Sequence, residues 1–441
     1  MQRYLCSLLL LPALIGPAAA QTAPLRFDFG TGHTKRGWTA VQPGDVYSPK
    51  KGYGFVGKAN RSAVQRGGRD AVKTDFCTAD GPFYFTVDVP EGNYDVTVTL
   101  GDADGPSTTN VRAESRRMML PTIATKPGEV VSRTFTVSVR YPEISATERV
   151  RLKPRELDYL NWDHQLTLEF NGPAPKVASM EIRRNDRATT VFLAGNSTVV
   201  DQDREPWAAW GQMIPRFFVP EKVVVANHAE SGEALKSFYS EKRLDKILSL
   251  MKPGDYLFIE FAHNDQKPGT AHVDPFTTYQ EMVRLYIAEA RKKGGIPVLV
   301  TSMHRRNFDS TGHIVNTLGD YPEALRQTAK AEGVALIDLN AMSKVLYEAW
   351  GPEASLKAFV HHPANTFPGQ TTELKDNTHF STYGAFELAR CVVEGIRTAV
   401  PDLARHLTDD LPPFNPASPD PIDRWDWPLS PMMSALKPDE N

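Results

Sequence analysis

Cysteine is scarce in this chain: three among 441 residues, and Cys6 falls in the leader described below. A disulfide scaffold is thereby excluded, and Cys77 and Cys391, which fall in different halves of the chain, are expected to stay unpaired. An excess of charge is also lacking. Fifty basic and 53 acidic residues leave a formal net charge of -3, too little field of either sign to favour nucleic acid or a polycationic partner. No apolar run is long enough to cross a bilayer. Recognised metal spacings are missing as well. His263-Asn-Asp265 with His272 and Asp274, and the pair His361-His362, do not match a zinc site. Asp102-Ala-Asp-Gly105 has no later bidentate acid and is expected to be a hairpin turn rather than a calcium loop. No metal, organic cofactor, nucleic acid or membrane partner is expected.

The sequence is otherwise ordinary, 41% apolar and 23% charged, and long enough for two or more cores. MQRYLCSLLLLPALIGPAAA places Arg3 before an apolar stretch and ends in Ala18, Ala19 and Ala20. That order reads as a secretory signal cleaved after Ala20, so residues 1–20 are assigned to a leader and the protein to the periplasm or the exterior.

Beyond it the chain has two textures. Residues 21–186 alternate apolar and polar positions in short segments. Examples are Phe83–Val89 and Asn93–Leu100 around Pro90-Glu-Gly92, which reads as a hairpin, then Arg133–Val139 and Gln165–Phe170. An all-β sandwich of about eight strands is expected. In residues 187–405 nearly continuous apolar runs alternate with helical stretches: Thr190–Ala194, Lys222–Asn227, Asp255–Ala262, Ile296–Ser302 and Val334–Leu339 against Pro206–Phe218, Ala234–Met251, Tyr279–Lys293 and Ala324–Glu332. Apolar strands of that kind suit a sheet covered on both faces, hence a three-layer α/β domain with five parallel strands. Residues 406–441, rich in proline from Leu411, are expected to form an extended strap anchored by Trp425 and Trp427.

Parallel sheets of this type bind ligands at the carboxyl ends of their strands. Four polar clusters fall there: Gly195-Asn-Ser197, Asn227 to Gly232, His263-Asn-Asp265, and Asp376-Asn-Thr-His379 in a short loop before a last helix marked by Ser381. Serine needs a base to accept its proton and donors to stabilise the oxyanion formed on the attacked carbonyl. His379 can be the base and Asp376 its orienting acid, with the amides of Ser197 and Gly232 and the side chain of Asn264 as donors. Singly, each has a plain structural role: a capped turn, a hinge, a braced loop, a packed histidine. Trp207 with Trp210, and Arg305 with Arg306, offer stacking and carboxylate-pairing chemistry, but core packing for one tryptophan and a solvated loop for the arginines are the readings expected of them singly. Asn196-Ser-Thr198 and Asn60-Arg-Ser62 match the glycosylation pattern, but a glycan on Asn196 would fill the site.

Taken together, FLAGNSTVVDQ, REPWAAWGQMIPRFF, NHAESGEALKSF, FAHNDQ and DNTHFSTYGA resemble the SGNH (GDSL-type) hydrolase superfamily and, within it, the rhamnogalacturonan acetylesterase family, over roughly Ala188 to Val400. The resemblance implies a flavodoxin-like fold with Ser197 as nucleophile, Asp376 and His379 completing the triad, and Ser197, Gly232 and Asn264 as the oxyanion hole. It implies hydrolysis of acetyl esters on a pectic polysaccharide or oligosaccharide, without a cofactor; Arg305 and Arg306 are carried as substrate-binding candidates. LRFDFGTGHTKRGW and the strands after it resemble the galactose-binding-like domain attached to bacterial members, for which a packing role is expected. Two positions depart from the family pattern. Asn196 replaces the usual Asp and is expected to brace its loop by hydrogen bonds, and Ala262 replaces a Gly. Esterase action on another polysaccharide such as xylan, a non-catalytic glycan-binding protein and a glycosidase are the competing readings.

Overall fold

The computed structural model describes residues 23–68 and 70–438, so the leader expected at 1–20 lies outside the described residues. Between Leu25 and Arg184, twelve strands form two facing sheets. One runs Val130–Val139, Gly92–Gly101, Lys176–Arg184, Leu25–Phe29, Thr39–Val41, with Asp75–Ala79 and Arg61–Gln65 attached to its side. The other runs Tyr53–Val56, Phe83–Asp88, Gln165–Ala174, Ser107–Ala113, Arg117–Thr125. The expected eight becomes twelve partly because Thr39–Val41, Tyr53–Val56, Arg61–Gln65 and Asp75–Ala79 are too short to display an alternation.

The expected hairpin at Pro90-Glu-Gly92 is not one. Phe83–Asp88 pairs with Tyr53–Val56 and Gln165–Ala174, whereas Gly92–Gly101 pairs with Val130–Val139 and Lys176–Arg184, so the turn carries the chain from one sheet to the other. Phe83, Phe85 and Val87 meet Tyr94, Val96 and Val98 in one core from opposite sides, and alternation is the same whether two strands pair or face. Asp102–Gly105, expected as a hairpin turn, is a second such crossing. Its Asp102 accepts from Arg66 Nε and Nη2 at 2.9 Å and from Lys176 Nζ at 2.7 Å.

The second half is a three-layer α/β domain. Its five parallel strands are Thr189–Gly195, Val223–Asn227, Tyr256–Glu260, Ile296–Val300 and Ala335–Ile337, arranged in space as second, first, third, fourth, fifth. Successive residues supply two cores: Val191, Leu193, Phe258 and Val300 face the long helix Thr382–Ala399, while Phe192, Ala194, Leu257 and Leu299 face helices Arg243–Leu250, Gln280–Lys292 and Tyr321–Glu332. The strand order reverses beside the first strand, which opens a crevice at its carboxyl end. The helix expected over Pro206–Phe218 is reduced to Trp210–Met213 and a 3-10 turn, Ile214–Phe217, in which Pro215 cannot donate the helical hydrogen bond. That expected over Ala234–Met251 breaks where Lys242 takes a φ of 63°. Helix Leu339–Ala354 and a two-stranded ribbon, Phe359–His362 with Leu374–Phe380, lacked a readable signal.

The halves share an interface of buried ion pairs. Arg117 Nε lies 2.5 Å from Asp201 Oδ2, Arg116 Nη2 lies 2.5 Å from Glu205 Oε2, and Arg243 Nη2 lies 2.5 Å from Glu156 Oε2. Each pair joins the sandwich to the parallel-sheet domain. Breaking a buried pair from one side typically costs about 3–5 kcal/mol, because an uncompensated charge remains. The C-terminal segment crosses both halves. Trp425 packs on Phe386 with ring centroids 4.7 Å apart, and Trp427 lies under the Arg112 guanidinium at 4.4 Å. Ser434 N then donates to the Glu205 carbonyl at 2.9 Å. Cys77 and Cys391 are free thiols buried in separate cores.

Candidate active site

The first parallel strand ends at Gly195, where a side chain is sterically barred: a Cβ would lie 2.5 Å from Val199 Cγ2 and 3.1 Å from the Glu260 carbonyl. The chain turns tightly there and presents Ser197, which is 2% exposed. Asn196 holds the turn. Its Oδ1 accepts from Thr198 N at 3.0 Å and lies 2.9 Å from Thr198 Oγ1, which is also 3.0 Å from Glu260 Oε1. Burial pushes the Glu260 carboxyl up to about 7, although Trp210 Nε1 donates to it at 2.7 Å. A neutral Glu260 can donate to Thr198 Oγ1, leaving the hydroxyl proton for Asn196 Oδ1.

His379 and Asp376 come from the ribbon rather than from a free loop. Val360 pairs with Asp376 and Phe359 with Phe380, so residues 377–379 bulge out of the strand and turn toward the serine. His379 Nε2 lies 2.8 Å from Ser197 Oγ, and Nδ1 lies 2.9 Å from Asp376 Oδ2. Burial opposes charge on Asp376, yet His379 and the amides of Thr378 and His379, donating at 2.7 and 3.0 Å, hold its carboxyl well below the usual carboxylate range. Asp376 therefore stays ionised and can stabilise an imidazolium. Trp207 closes the other side, edge-on to the His379 ring at 5.8 Å, while fully buried Trp210 belongs to the core.

The other two expected donors, Gly232 and Asn264, lie on neighbouring loops. Gly232 adopts a φ of +84°, which favours glycine. Asn264 Nδ2 donates to the Glu233 carbonyl at 3.0 Å, which ties the third-strand loop to the second-strand loop and leaves its other N–H. Among the described residues the amides of Ser197 and Gly232 donate to no protein acceptor. The Gln202 side chain fixes the Ser197 carbonyl at 2.7 Å.

Arg305 and Arg306 lie elsewhere than the cavity beside Trp207. Arg305 Nη2 donates to the His263 carbonyl at 3.3 Å. Arg306 Nη1 donates to Asn377 Oδ1 at 3.1 Å and its Nε to Ser355 Oγ at 2.9 Å, so it braces the bulge that carries His379. The cavity, about 430 Å³, is walled by three parts of the chain: Arg155 and Tyr159 from the sandwich, Gln202, Arg204 and Trp207 from the parallel-sheet domain, and Met433 to Pro438 from the C-terminal segment. Sequence reasoning missed the sandwich and C-terminal walls, for which no local signal exists, and Glu260, which was visible as an acid ending an apolar strand.

Comparison with known proteins finds two families in separate parts of the chain. Residues 193–385 match the family described as GDSL-like lipase/acylhydrolase, and residues 25–132 match the beta-agarase/YxiM esterase-like, galactose-binding domain-like family. The chain is 48% identical to the rhamnogalacturonan acetylesterase RhgT of Bacillus subtilis over 220 residues, covering 49% of this chain and 93% of that protein. It is 27% identical to the uncharacterized esterase YxiM of the same organism over 387 residues, covering 86% of this chain and 92% of the relative. The crystal structure of YxiM superposes with a TM-score of 0.45 at 27% identity, covering 85% of this chain and 98% of the other.

Proposed function

Because the chain belongs to the GDSL-like lipase/acylhydrolase family and is a carboxylic ester hydrolase, we propose that it removes O-acetyl groups from pectin, rhamnogalacturonan first among its substrates. The observation that carries the proposal is the unbroken line from Asp376 Oδ2 through both His379 nitrogens to Ser197 Oγ, at 2.9 and 2.8 Å. His379 Nε2 takes the serine proton as Oγ attacks the acetyl carbonyl. Negative charge collects on the carbonyl oxygen, facing the amides of Ser197 and Gly232 and the Asn264 side chain. His379 then returns the proton to the departing sugar hydroxyl, leaving an acetyl-enzyme. Water, deprotonated by the same nitrogen, releases acetate and restores Ser197. Ionised Asp376 keeps the imidazole in the tautomer that presents an acceptor to the serine.

The relative named for rhamnogalacturonan supports the pectic substrate, since this chain covers nearly all of it. The leader pattern at 1–20 supports export, which suits a polymer that does not enter the cell. The test is acetate release from acetylated rhamnogalacturonan, homogalacturonan and xylan, by the full chain and by Ser197→Ala. The proposal expects the first polymer to be the best substrate and the variant to be inactive on all three. Preference for xylan would replace the substrate, and reducing-sugar release without acetate would replace the reaction class.

A further inference from the structure

The Ser231–Gly232 peptide is held from outside the domain to which it belongs. Its carbonyl accepts from Lys153 Nζ at 2.7 Å and from Arg155 Nη2 at 2.6 Å, and both cations come from the sandwich. Neither is a loose surface group. Lys153 also lies 2.6 Å from Glu233 Oε1, and Arg155 Nη2 lies 2.8 Å from Glu230 Oε1, so the two cations bracket the peptide on both sides in sequence. Lys153 caps, and Arg155 belongs to, the short 3-10 turn Pro154–Asp158, which is pinned by buried Glu156: Glu156 Oε2 accepts from Lys153 N at 2.8 Å and from Arg243 Nη2 at 2.5 Å.

A trans peptide is planar, with its N–H opposite its C=O. Fixing the Ser231 oxygen toward the sandwich therefore fixes the Gly232 N–H toward the opposite side. Gly232, at a φ of +84°, has little steric resistance to turning, so the orientation of that N–H depends on what grips the carbonyl. Charge-assisted bonds to a carbonyl also polarise the amide and strengthen its N–H as a donor.

We infer that Lys153 and Arg155 are positioning residues of the oxyanion hole: the sandwich holds the Ser231 carbonyl so that the Gly232 amide faces the oxyanion. The inference rests on the reading of Ser197 as nucleophile and Gly232 as donor. It assigns the N-terminal domain a part in the chemical step, distinct from carbohydrate binding.

The experiment measures kcat and KM of the full chain on p-nitrophenyl acetate for Lys153→Met, Arg155→Met, Arg155→Lys and Ser197→Ala. Loss of one grip on an oxyanion donor should lower kcat about tenfold in each methionine variant, less than the 10²–10³ of losing the donor itself. KM should stay within about twofold and the shape of the kcat pH profile should be kept, because His379 is untouched. Arg155→Lys keeps a donor in reach and should recover most of the loss. Burial raises the Glu230 carboxyl to about 7, so it can be neutral when Arg155 is removed, which favours folding of that variant. Wild-type kcat in both methionine variants, with Ser197→Ala inactive, would overturn the inference alone. So would a kcat loss that Arg155→Lys does not relieve and that follows the unfolding temperature. Full activity of Ser197→Ala would overturn the parent reading and the inference with it.

Discussion

The parallel-sheet domain and the sandwich contribute to one site in different ways. The first supplies Ser197, Gly232, Asn264, Asp376 and His379 from strand ends and a bulge. The second supplies no member of that set, but its Arg116, Arg117, Lys153 and Arg155 grip Glu205, Asp201, Glu233 and Glu230 in the loops on either side. Strand ends place reactive groups within hydrogen-bond reach, whereas keeping the loops in that geometry falls to charged side chains from another layer. A domain that looks like an attached binding module is, in this chain, also part of the frame of the site.

Four substitutions bear on that division, in falling order of effect. Asp376→Asn should lower kcat by about 10⁴, because the histidine is then presented in the wrong tautomer. Steady-state acetate release measures this; a loss below tenfold would mean that Asp376 does not hold the reactive tautomer of His379. Arg117→Met, on the sandwich side, should cost about 3–5 kcal/mol of stability by leaving Asp201 buried without its partner. Denaturant unfolding reads it, and a change under 1 kcal/mol would demote the interface from frame to contact.

Glu260→Gln isolates one buried acid within the parallel-sheet domain. Burial raises the folded carboxyl from 4.5 to about 7, so the folded state holds its proton where the unfolded chain has lost it. The contribution of Glu260 is therefore full below pH 4.5 and is lost as pH rises toward 7. The wild-type advantage over Glu260→Gln should shrink by roughly 3 kcal/mol across that window. A constant advantage, followed by unfolding at several pH values, would contradict the neutral Glu260. Asn196→Asp should change activity by less than about tenfold, or ~1.4 kcal/mol, because Oδ1 still accepts from Thr198 N. A larger change would show that charge at position 196 reaches the serine.

The sequence made the reactive groups legible through local features: Ser197 after VFLAGN and Asn264 after FIEFAH sit where an apolar strand stops, and Asp376 and His379 fall just before the Ser381 cap. Those are local signals. Placing Phe83–Asp88 and Gly92–Gly101 in different sheets was not legible, since facing and paired strands carry the same alternation. Nor was the grip of Lys153 and Arg155 on Ser231, nearly eighty residues away in sequence, because a hydrogen bond across a domain boundary leaves no periodicity behind. Asp376 and His379 read as loop residues because the bulge interrupts the strand pattern just where the chemistry lies.

The most direct measurement is mass spectrometry of the enzyme quenched while turning over an acetylated rhamnogalacturonan oligosaccharide. The account predicts an acetyl group on the peptide carrying Ser197, lost on further incubation as acetate appears, and absent from Ser197→Ala, which releases none. Acetate release at the wild-type rate by Ser197→Ala, with every peptide unmodified, would contradict it.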